Sequence, residues 1–195
     1  MIGYLKGQLI DKSPTRILLD VHGVGYDIHI PFSTFEKLGA AGEEVALLTH
    51  LHVREDAMTL FGFATTAEKQ LFQMLLSVSG IGPKIAQGIL SGSSVYTFRQ
   101  HVERGEVAAL TVIPGVGKKT AERIVLELKD KVSALVDESQ QIGVARGVGV
   151  PQQALQALLA LGYARPAAQR AVEAATRKDP DASLESIIKQ SLRFV

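Results

Sequence analysis

Residues 78–86 read VSGIGPKIA, and residues 113–121 read IPGVGKKTA. The second segment follows the first at an offset of 35 residues. Each segment has an apolar residue, a glycine–apolar–glycine turn, at least one lysine and then the apolar start of a helix. Because the two copies share both pattern and order, they indicate one structural unit that is used twice.

The chemistry of the repeat favours an anion as the ligand. Two glycines in each turn permit a positive φ and the close approach of another backbone. The helix after the turn directs its free N–H groups and positive dipole end at the turn. None of these contacts needs a base edge, so the pattern predicts phosphate binding without sequence readout. The candidate DNA-binding residues are Gly80, Gly82, Lys84, Gly115, Gly117, Lys118, Lys119 and Arg123.

The repeat has the helix-hairpin-helix pattern, and two tandem copies resemble the double module that grips both strands of a duplex across the minor groove. The flanking sequence is helical in period. Thr65 and Glu68 have capping-box spacing, and helical patterns continue to about residue 136. The longest apolar stripe runs from Ala121 to Val132, which predicts one helix over that range.

Two other motifs overlap the second copy. Residues 115–120 look like a nucleotide P-loop, but Val112 replaces its first glycine and Lys119 replaces its Ser or Thr, so we expect no ATP site. The same residues are similar to the hairpin of base-excision DNA glycosylases, in which a lysine attacks the sugar and an aspartate assists. Lys119 and Asp137 are placed for those roles, although Glu138 stands where that family usually has a Thr-His pair.

The first 62 residues have the features of β-structure. Tyr26, Ile28 and Ile30 alternate with polar residues at the period of a half-buried strand. Five short strands and one short helix near residues 33–38 fit a closed barrel of the OB type, with an open five-stranded sheet as the competing arrangement. Glu55 and Asp56 lie between two strand patterns, so we expect them in an exposed turn.

The C-terminal part returns to helical patterns after a break. Residues 139–149 contain three glycines and no sustained period, which predicts a flexible linker. Residues 150–195 show three short helical patterns. The predicted fold is therefore an α+β multidomain chain with a five-stranded OB-type β-barrel, a tandem helix-hairpin-helix domain and a small three-helix bundle. The predicted boundaries are 1–63, 64–138, 139–149 and 150–195.

Composition excludes several classes of function. The chain of 195 residues has no cysteine, so it lacks disulfides, thiolate catalysis and Cys-ligated metals. We expect no cofactor and no metal site, since His50 and His52 share a strand face without a convincing third ligand.

Neither a secretory signal nor a membrane span is apparent, which predicts a soluble cytoplasmic protein. Net charge is −3 over residues 1–62, +3 over 63–132 and +1 over 133–195, so a polyanion is expected at the middle segment.

The order of barrel, double hairpin, linker and helical tail resembles the RuvA family, the DNA-binding subunits of the bacterial Holliday-junction branch-migration complex. The opening residues 1–7, the segment 53–57 and the segment 60–63 share in this resemblance, which covers nearly the whole chain.

The resemblance implies a homotetramer, or an octamer, that holds four-way junction DNA in an open square and has no enzymatic activity of its own. Glu55 and Asp56 match the family's acidic pin near the central axis. The C-terminal domain would bind the hexameric ATPase RuvB through Leu158, Leu161 and Tyr163, with the RuvC resolvase as a further partner. It also implies roles in DNA recombination, repair and the SOS response.

Two other functions compete with this one. The first is a glycosylase or lyase that uses Lys119 and Asp137. The second is a general binder of duplex or single-stranded DNA, with the barrel as its nucleic-acid surface. The scattered aromatic residues of the barrel segment argue against the second, because single-strand binders stack bases on aromatic side chains.

Overall fold

The computed structural model describes residues 1–135, 150–179 and 182–194. The chain divides into two compact units, one within Met1–Ile142 and the other within Gly143–Val195. The first unit contains both the strands and the hairpin helices, so the predicted boundary between residues 63 and 64 separates two parts of one unit. Asp137 and the predicted linker 139–149 lie outside the described residues.

Five strands form a closed barrel in the order β1-β2-β3-β5-β4. All neighbours pair antiparallel except β3 and β5, which pair parallel through Ile28 with Leu60 and His29 with Phe61. The predicted OB-type barrel is confirmed, and the open-sheet alternative is wrong. The strands are β1 (Tyr4–Ser13), β2 (Arg16–Val21), β3 (Val24–His29), β4 (Glu44–Val53) and β5 (Met58–Phe63).

Alternation along the strands fills the barrel. Ile28 is fully buried while its neighbours Asp27 and His29 are exposed or half-buried, as the period of two requires. Aliphatic side chains from all five strands meet inside and exclude water from the barrel interior. The buried members of this core are Leu5, Leu9, Ile17, Leu19, Ile28, Ile30, Val45, Leu47 and Leu60.

The helices of the first unit pack around a second core, which begins at Phe61 and Phe63 on β5 and continues to Leu135. The helix that the sequence predicts to continue to Val132 ends earlier in the structure, at Leu128. Val132 reaches the same core from a 3-10 turn, Val132–Ala134. The helices are α1 (Phe32–Lys37), α2 (Thr66–Leu76), α3 (Pro83–Gly92), α4 (Val95–Arg104), α5 (Val107–Thr111) and α6 (Lys118–Leu128).

A buried carboxylate joins α1 to the start of α2. Glu68 is 1% exposed and forms the predicted capping box with Thr65. Its oxygens also accept hydrogen bonds from the Ser33 and Thr34 hydroxyls at 2.8 and 3.0 Å. Lys37 forms an ion pair with the same carboxylate at 3.3 Å. A buried charge with this many donors stabilises a unique arrangement, because any other arrangement leaves it unsatisfied.

Helix α3 is also tied to the barrel. The side-chain amide of Gln87 donates to the backbone carbonyls of Ile30 at 2.6 Å and Thr15 at 3.3 Å. The backbone N–H of Phe32 donates to the Ser91 hydroxyl at 3.0 Å. These contacts fix the helix that carries the first repeat against the rim of the barrel.

The second unit is a bundle of α7 (Val150–Ala160), α8 (Arg165–Lys178) and α9 (Leu184–Ser191), which confirms the three predicted helices. Its small core contains Ala154, Leu158, Ala168, Val172, Ala175, Ala182 and Ile187.

A Schellman motif ends α7: the N–H of Tyr163 donates to the Leu158 carbonyl and that of Gly162 to the Leu159 carbonyl. Across residues 1–135, 150–179 and 182–194, no helix is long and apolar enough to span a membrane.

Candidate nucleic-acid interface

The two sequence repeats fold into two helix-hairpin-helix units with the same hydrogen bonds. In hairpin 1, formed by α2 and α3, the N–H of Ile81 donates to the Val78 carbonyl at 3.1 Å. In hairpin 2, formed by α5 and α6, Val116 donates to the Ile113 carbonyl at 3.0 Å. The structure therefore reproduces the 35-residue repeat in its backbone.

The three residues of each glycine–apolar–glycine turn have different structural roles. The first glycines, Gly80 and Gly115, have φ of +88° and +85°, a region that favours glycine. The apolar residues Ile81 and Val116 are buried at 6% and 4% exposure, as the sequence predicts for anchors.

The second glycine of each turn has a different role from the one its flexibility suggests. Gly82 and Gly117 have negative φ and are the N-caps of α3 and α6. Neither helix has a side-chain cap, and a Cβ atom added at either glycine would meet no other atom within 4 Å. The N-terminal N–H groups therefore face open space that an anion can enter.

Hairpin 2 carries more positive charge than hairpin 1. Lys118 and Lys119 are the first two residues of α6 and both are exposed. In α3 the first residue is Pro83, which has no N–H to donate, and Lys84 is the exposed lysine. We therefore expect hairpin 2 to contribute more of the attraction for phosphates.

Arg123 reaches from one hairpin to the other. It lies on α6, and its Nη1 atom donates to the backbone carbonyl of Ser79 in the turn of hairpin 1 at 3.3 Å. The sequence pattern grouped Arg123 with the candidate phosphate-binding lysines. The structure adds a bridging contact that the sequence pattern did not predict.

The acidic pair forms an exposed turn, as the sequence predicts. Glu55 and Asp56 lie between β4 and β5, and both side chains are exposed. A backbone hydrogen bond of 2.8 Å from Arg54 to Ala57 closes this turn. The two carboxylates therefore project from one end of the barrel.

One histidine of the pair on β4 packs against the helical core of the first unit. The ring of His50 packs edge-on against Phe72 with 5.5 Å between centroids. Burial, with the nearby charges of His52 and Lys69, lowers the pKa of His50 below its usual value. Within the described part of the chain, no group of three or more His, Asp or Glu side chains is placed to hold a metal ion.

The candidate partner residues of the second unit separate into two groups. Leu158 is fully buried in the bundle core, so its side chain is not part of an exposed patch and that part of the expectation is corrected. Leu161 and Tyr163 are 62% and 37% exposed around the end of α7. Leu158 fills the centre of this small bundle. The helical period of the sequence alone could not distinguish such a core position from a position that contacts a partner.

The alternative motifs fit the structure less well. A P-loop connects a strand to a helix, whereas residues 115–120 follow helix α5 and run into the first turn of α6. Lys119 is exposed at the start of α6, but Asp137, its partner in the glycosylase hypothesis, is outside the described residues.

The residues that the sequence analysis missed are those that join distant segments, chiefly Gln87 and Ser91.

A barrel joined to a tandem helix-hairpin-helix defines a class of nucleic-acid-binding protein that contacts the DNA backbone. Family models agree: residues 1–62 match "RuvA N terminal domain", residues 72–130 match "SAM-like Helix-hairpin-helix tandem" and residues 150–195 match "RuvA, C-terminal domain". The chain belongs to the RuvA family.

Curated relatives match over nearly their full length. The chain is 46% identical over 198 residues to a protein of Geobacter sp. strain M21, covering 100% of this chain and 99% of the relative. It is 46% identical to one from Solibacter usitatus, covering 100% of both. It is 43% identical over 202 residues to one from Escherichia coli O1:K1, covering 99% and 98%. Each is named Holliday junction branch migration complex subunit RuvA.

Proposed function

We propose that this chain binds four-way (Holliday) DNA junctions by their shape and without sequence preference. The observation that carries the proposal is the duplicated hairpin, which presents two uncapped helix N-termini with exposed lysines beside them. Helix N-termini and lysines bind phosphates, which carry no sequence information. The relatives' name supports a junction as the DNA structure that is bound.

The proposed assembly is a homotetramer, with an octamer as the larger alternative, and its parts have separate tasks. Residues 64–138 grip the duplex arms, and the barrel of residues 1–63 brings the acidic turn to the centre. Residues 139–149 link this body to residues 150–195, which recruit the RuvB ATPase through a surface that includes Leu161 and Tyr163. The RuvC resolvase is a further partner.

The acidic turn is proposed to act by repulsion. Four copies of Glu55 and Asp56 around a fourfold axis would place several carboxylates next to the crossover phosphates. Such repulsion is least screened within a Debye length of about 8 Å at physiological salt. The acids therefore part and guide strands at the centre, while the hairpins hold the arms.

In this proposal the chain is a non-enzymatic subunit that uses no cofactor and acts in the bacterial cytoplasm. RuvB supplies the ATP hydrolysis that moves the DNA. The proposal places the chain in recombination and in the repair of damaged DNA.

A gel shift tests the proposed function. A fixed four-way junction is compared with linear duplexes of the same arm sequences, in the presence of magnesium and excess unlabelled duplex. We expect strong preference for the junction and no strand cleavage. A substrate with an abasic site runs alongside, because cleavage there would support the lyase hypothesis for Lys119.

Equal binding of junction and duplex would contradict junction specificity and leave a general DNA binder. A matched test with purified RuvB then measures branch migration, which we expect only when both proteins and ATP are present.

A further inference from the structure

Two polar side chains on helix α3 bond to the segment that leads from β3 into α1. The amide of Gln87 donates to the carbonyl of Ile30 at 2.6 Å, and the hydroxyl of Ser91 accepts from the N–H of Phe32 at 3.0 Å. The Ser91 hydroxyl donates in turn to the Gln87 carbonyl at 2.8 Å, one turn earlier in the same helix. Residues 30–32 are therefore joined to α3 by a connected network of hydrogen bonds.

The Gln87 amide also contacts a second part of the barrel. It donates to the Thr15 carbonyl at 3.3 Å, and the same carbonyl accepts from the N–H of Ile30 at 3.0 Å. Thr15 lies between β1 and β2, whereas Ile30 follows β3. One amide nitrogen, which has two hydrogens to donate, thus holds α3 to two strand ends. Two such bonds restrict the helix more than one, because a single bond leaves rotation about itself.

Gln87 lies next to the candidate phosphate contact of hairpin 1. Lys84 precedes it by three residues in α3, and residues three or four apart are neighbours on the surface of a helix. The lysine is exposed, whereas Gln87 is half-buried. The anchor to the barrel and the proposed phosphate contact therefore share one side of the same helix, so a shift of one moves the other.

The sequence repeat separates anchoring from phosphate binding. Both copies keep an exposed lysine near the start of their second helix. At the offset of 35 residues Gln87 and Ser91 correspond to Glu122 and Leu126, whose side chains are exposed on α6. The lysine is thus common to the two hairpins, whereas the Gln87–Ser91 pair is specific to the hairpin whose helix bonds to the barrel.

We propose that Gln87 is a positioning residue that determines the preference for a four-way junction over a linear duplex. A linear duplex meets the hairpins alone, so its binding depends on the local geometry of each turn. A junction places its arms at the hairpins and its crossover at the acidic turn, so its binding also depends on where the hairpins stand relative to the barrel. Gln87 fixes that position for hairpin 1, and the bond from Arg123 to Ser79 extends it to hairpin 2. This inference rests on the proposed function.

Equilibrium binding to two forms of DNA tests the inference. Gln87→Leu removes both donors and nearly keeps the size of the side chain. Gln100→Leu is the matched control, because the Gln100 amide donates to the Tyr96 hydroxyl within its own helix at 2.6 Å. Both variants and the wild type are titrated with a fixed four-way junction and with a linear duplex of the same arm sequence, over a range of salt concentrations.

We expect Gln87→Leu to weaken junction binding about fivefold, the effect of one net hydrogen bond, and to change duplex binding by less than about twofold. The slope of log K against log salt should stay the same for both DNAs, because no phosphate contact is lost. Gln100→Leu should bind both DNAs as the wild type does. Equal losses on junction and duplex would show a general structural role and overturn the inference, as would an unchanged preference or a shallower salt slope.

Hydrogen exchange gives a readout of the anchor without DNA. Exchange is followed by mass spectrometry in the peptide that contains Phe32 and in the peptide that contains Val116, whose N–H bonds within hairpin 2. Gln87→Leu should speed exchange in the first peptide and leave the second unchanged, because only the bond to α3 is loosened. Unchanged exchange at Phe32 would overturn the positioning role.

A second variant decides the outcome if Gln87→Leu folds poorly. Ser91→Ala removes the acceptor of the Phe32 N–H and introduces a strong helix former. It should lower the preference for the junction in the same direction, and an unchanged preference would overturn the inference. A wild-type chain that does not prefer junctions refutes the proposed function, whereas a wild type that prefers them no more than Gln87→Leu does refutes the role of Gln87 alone.

Discussion

Arg123 donates a hydrogen bond to the carbonyl of Ser79. Because the two hairpins are repeats of each other, a second contact between them lies at the equivalent positions. At an offset of 35 residues Ser79 corresponds to Pro114, and Gly88 corresponds to Arg123. A Cβ atom on Gly88 would lie 3.8 Å from the carbonyl oxygen of Pro114. The turn of each hairpin thus faces the helix of the other, through a guanidinium on one side and close backbone packing on the other.

The first prediction concerns this bridge. Arg123→Ala should weaken junction binding about fivefold, since an exposed hydrogen bond contributes about 1 kcal/mol and its loss lets the two phosphate sites move relative to each other. The dependence of affinity on salt should stay unchanged if Arg123 acts by positioning. Lys129→Ala, which removes an exposed charge at the C-terminal end of the same helix, is the control. A decrease in the slope of log K against log salt by about 0.9 would instead identify Arg123 as a direct phosphate contact.

The second prediction concerns hairpin 2. Lys118→Ala with Lys119→Ala should weaken binding to all DNA sequences alike, because phosphate contacts carry no sequence information. The slope of log K against log salt should fall by about 1.8, for two fewer counterions released. The matched control is Lys129→Ala with Lys131→Ala, which changes net charge equally away from the helix N-terminus. Losses that depend on sequence would count against phosphate gripping.

The sequence predicted most of the first unit correctly because its signals are local. Strand alternation, the Thr65–Glu68 capping box and the two glycine turns all depend on residues within a few positions of one another. The burial of Ile81 and Val116 also followed from the turn pattern. Local physical chemistry is therefore enough to place the two turns that are proposed to bind phosphates.

Contacts between distant segments could not be predicted in this way. Nothing in the sequence near Gln87 indicates that its amide bonds to Ile30, and nothing near Arg123 indicates Ser79. The helical period of the tail placed Leu158 on an apolar face but could not decide between core and partner surface.

The third prediction concerns the acidic turn. Glu55→Gln with Asp56→Asn should keep or strengthen junction binding, because repulsion of the crossover phosphates is removed, and should change the rate of RuvB-driven migration. Affinity is measured by gel shift and migration by strand-exchange kinetics on the same junction. Glu43→Gln with Glu44→Gln neutralises two acids elsewhere on the barrel as a control. A double variant that migrates at the wild-type rate and in the same direction would eliminate the proposed role of the pin.

The fourth prediction concerns stability. Glu68→Ala should lower the free energy of unfolding of the first unit by about 3 kcal/mol, because it leaves several buried donors without an acceptor. Glu36→Ala removes an exposed glutamate from α1 and should change stability by less than about 0.5 kcal/mol. Chemical denaturation followed by circular dichroism measures both. An equal effect of the two substitutions would show that the Glu68 network contributes little to stability.

The last prediction separates the two roles of the apolar residues in the tail. Leu161→Asp with Tyr163→Ala should preserve the fold of the bundle and junction binding but abolish RuvB-driven migration, because both side chains are exposed. Leu158→Ala should instead destabilise the bundle by about 3 kcal/mol, as expected when a buried leucine leaves a cavity. Deletion of residues 150–195 gives the reference phenotype of normal junction binding without migration. Thermal unfolding distinguishes the two variants, and migration that persists after the deletion would refute the assignment of the tail to RuvB.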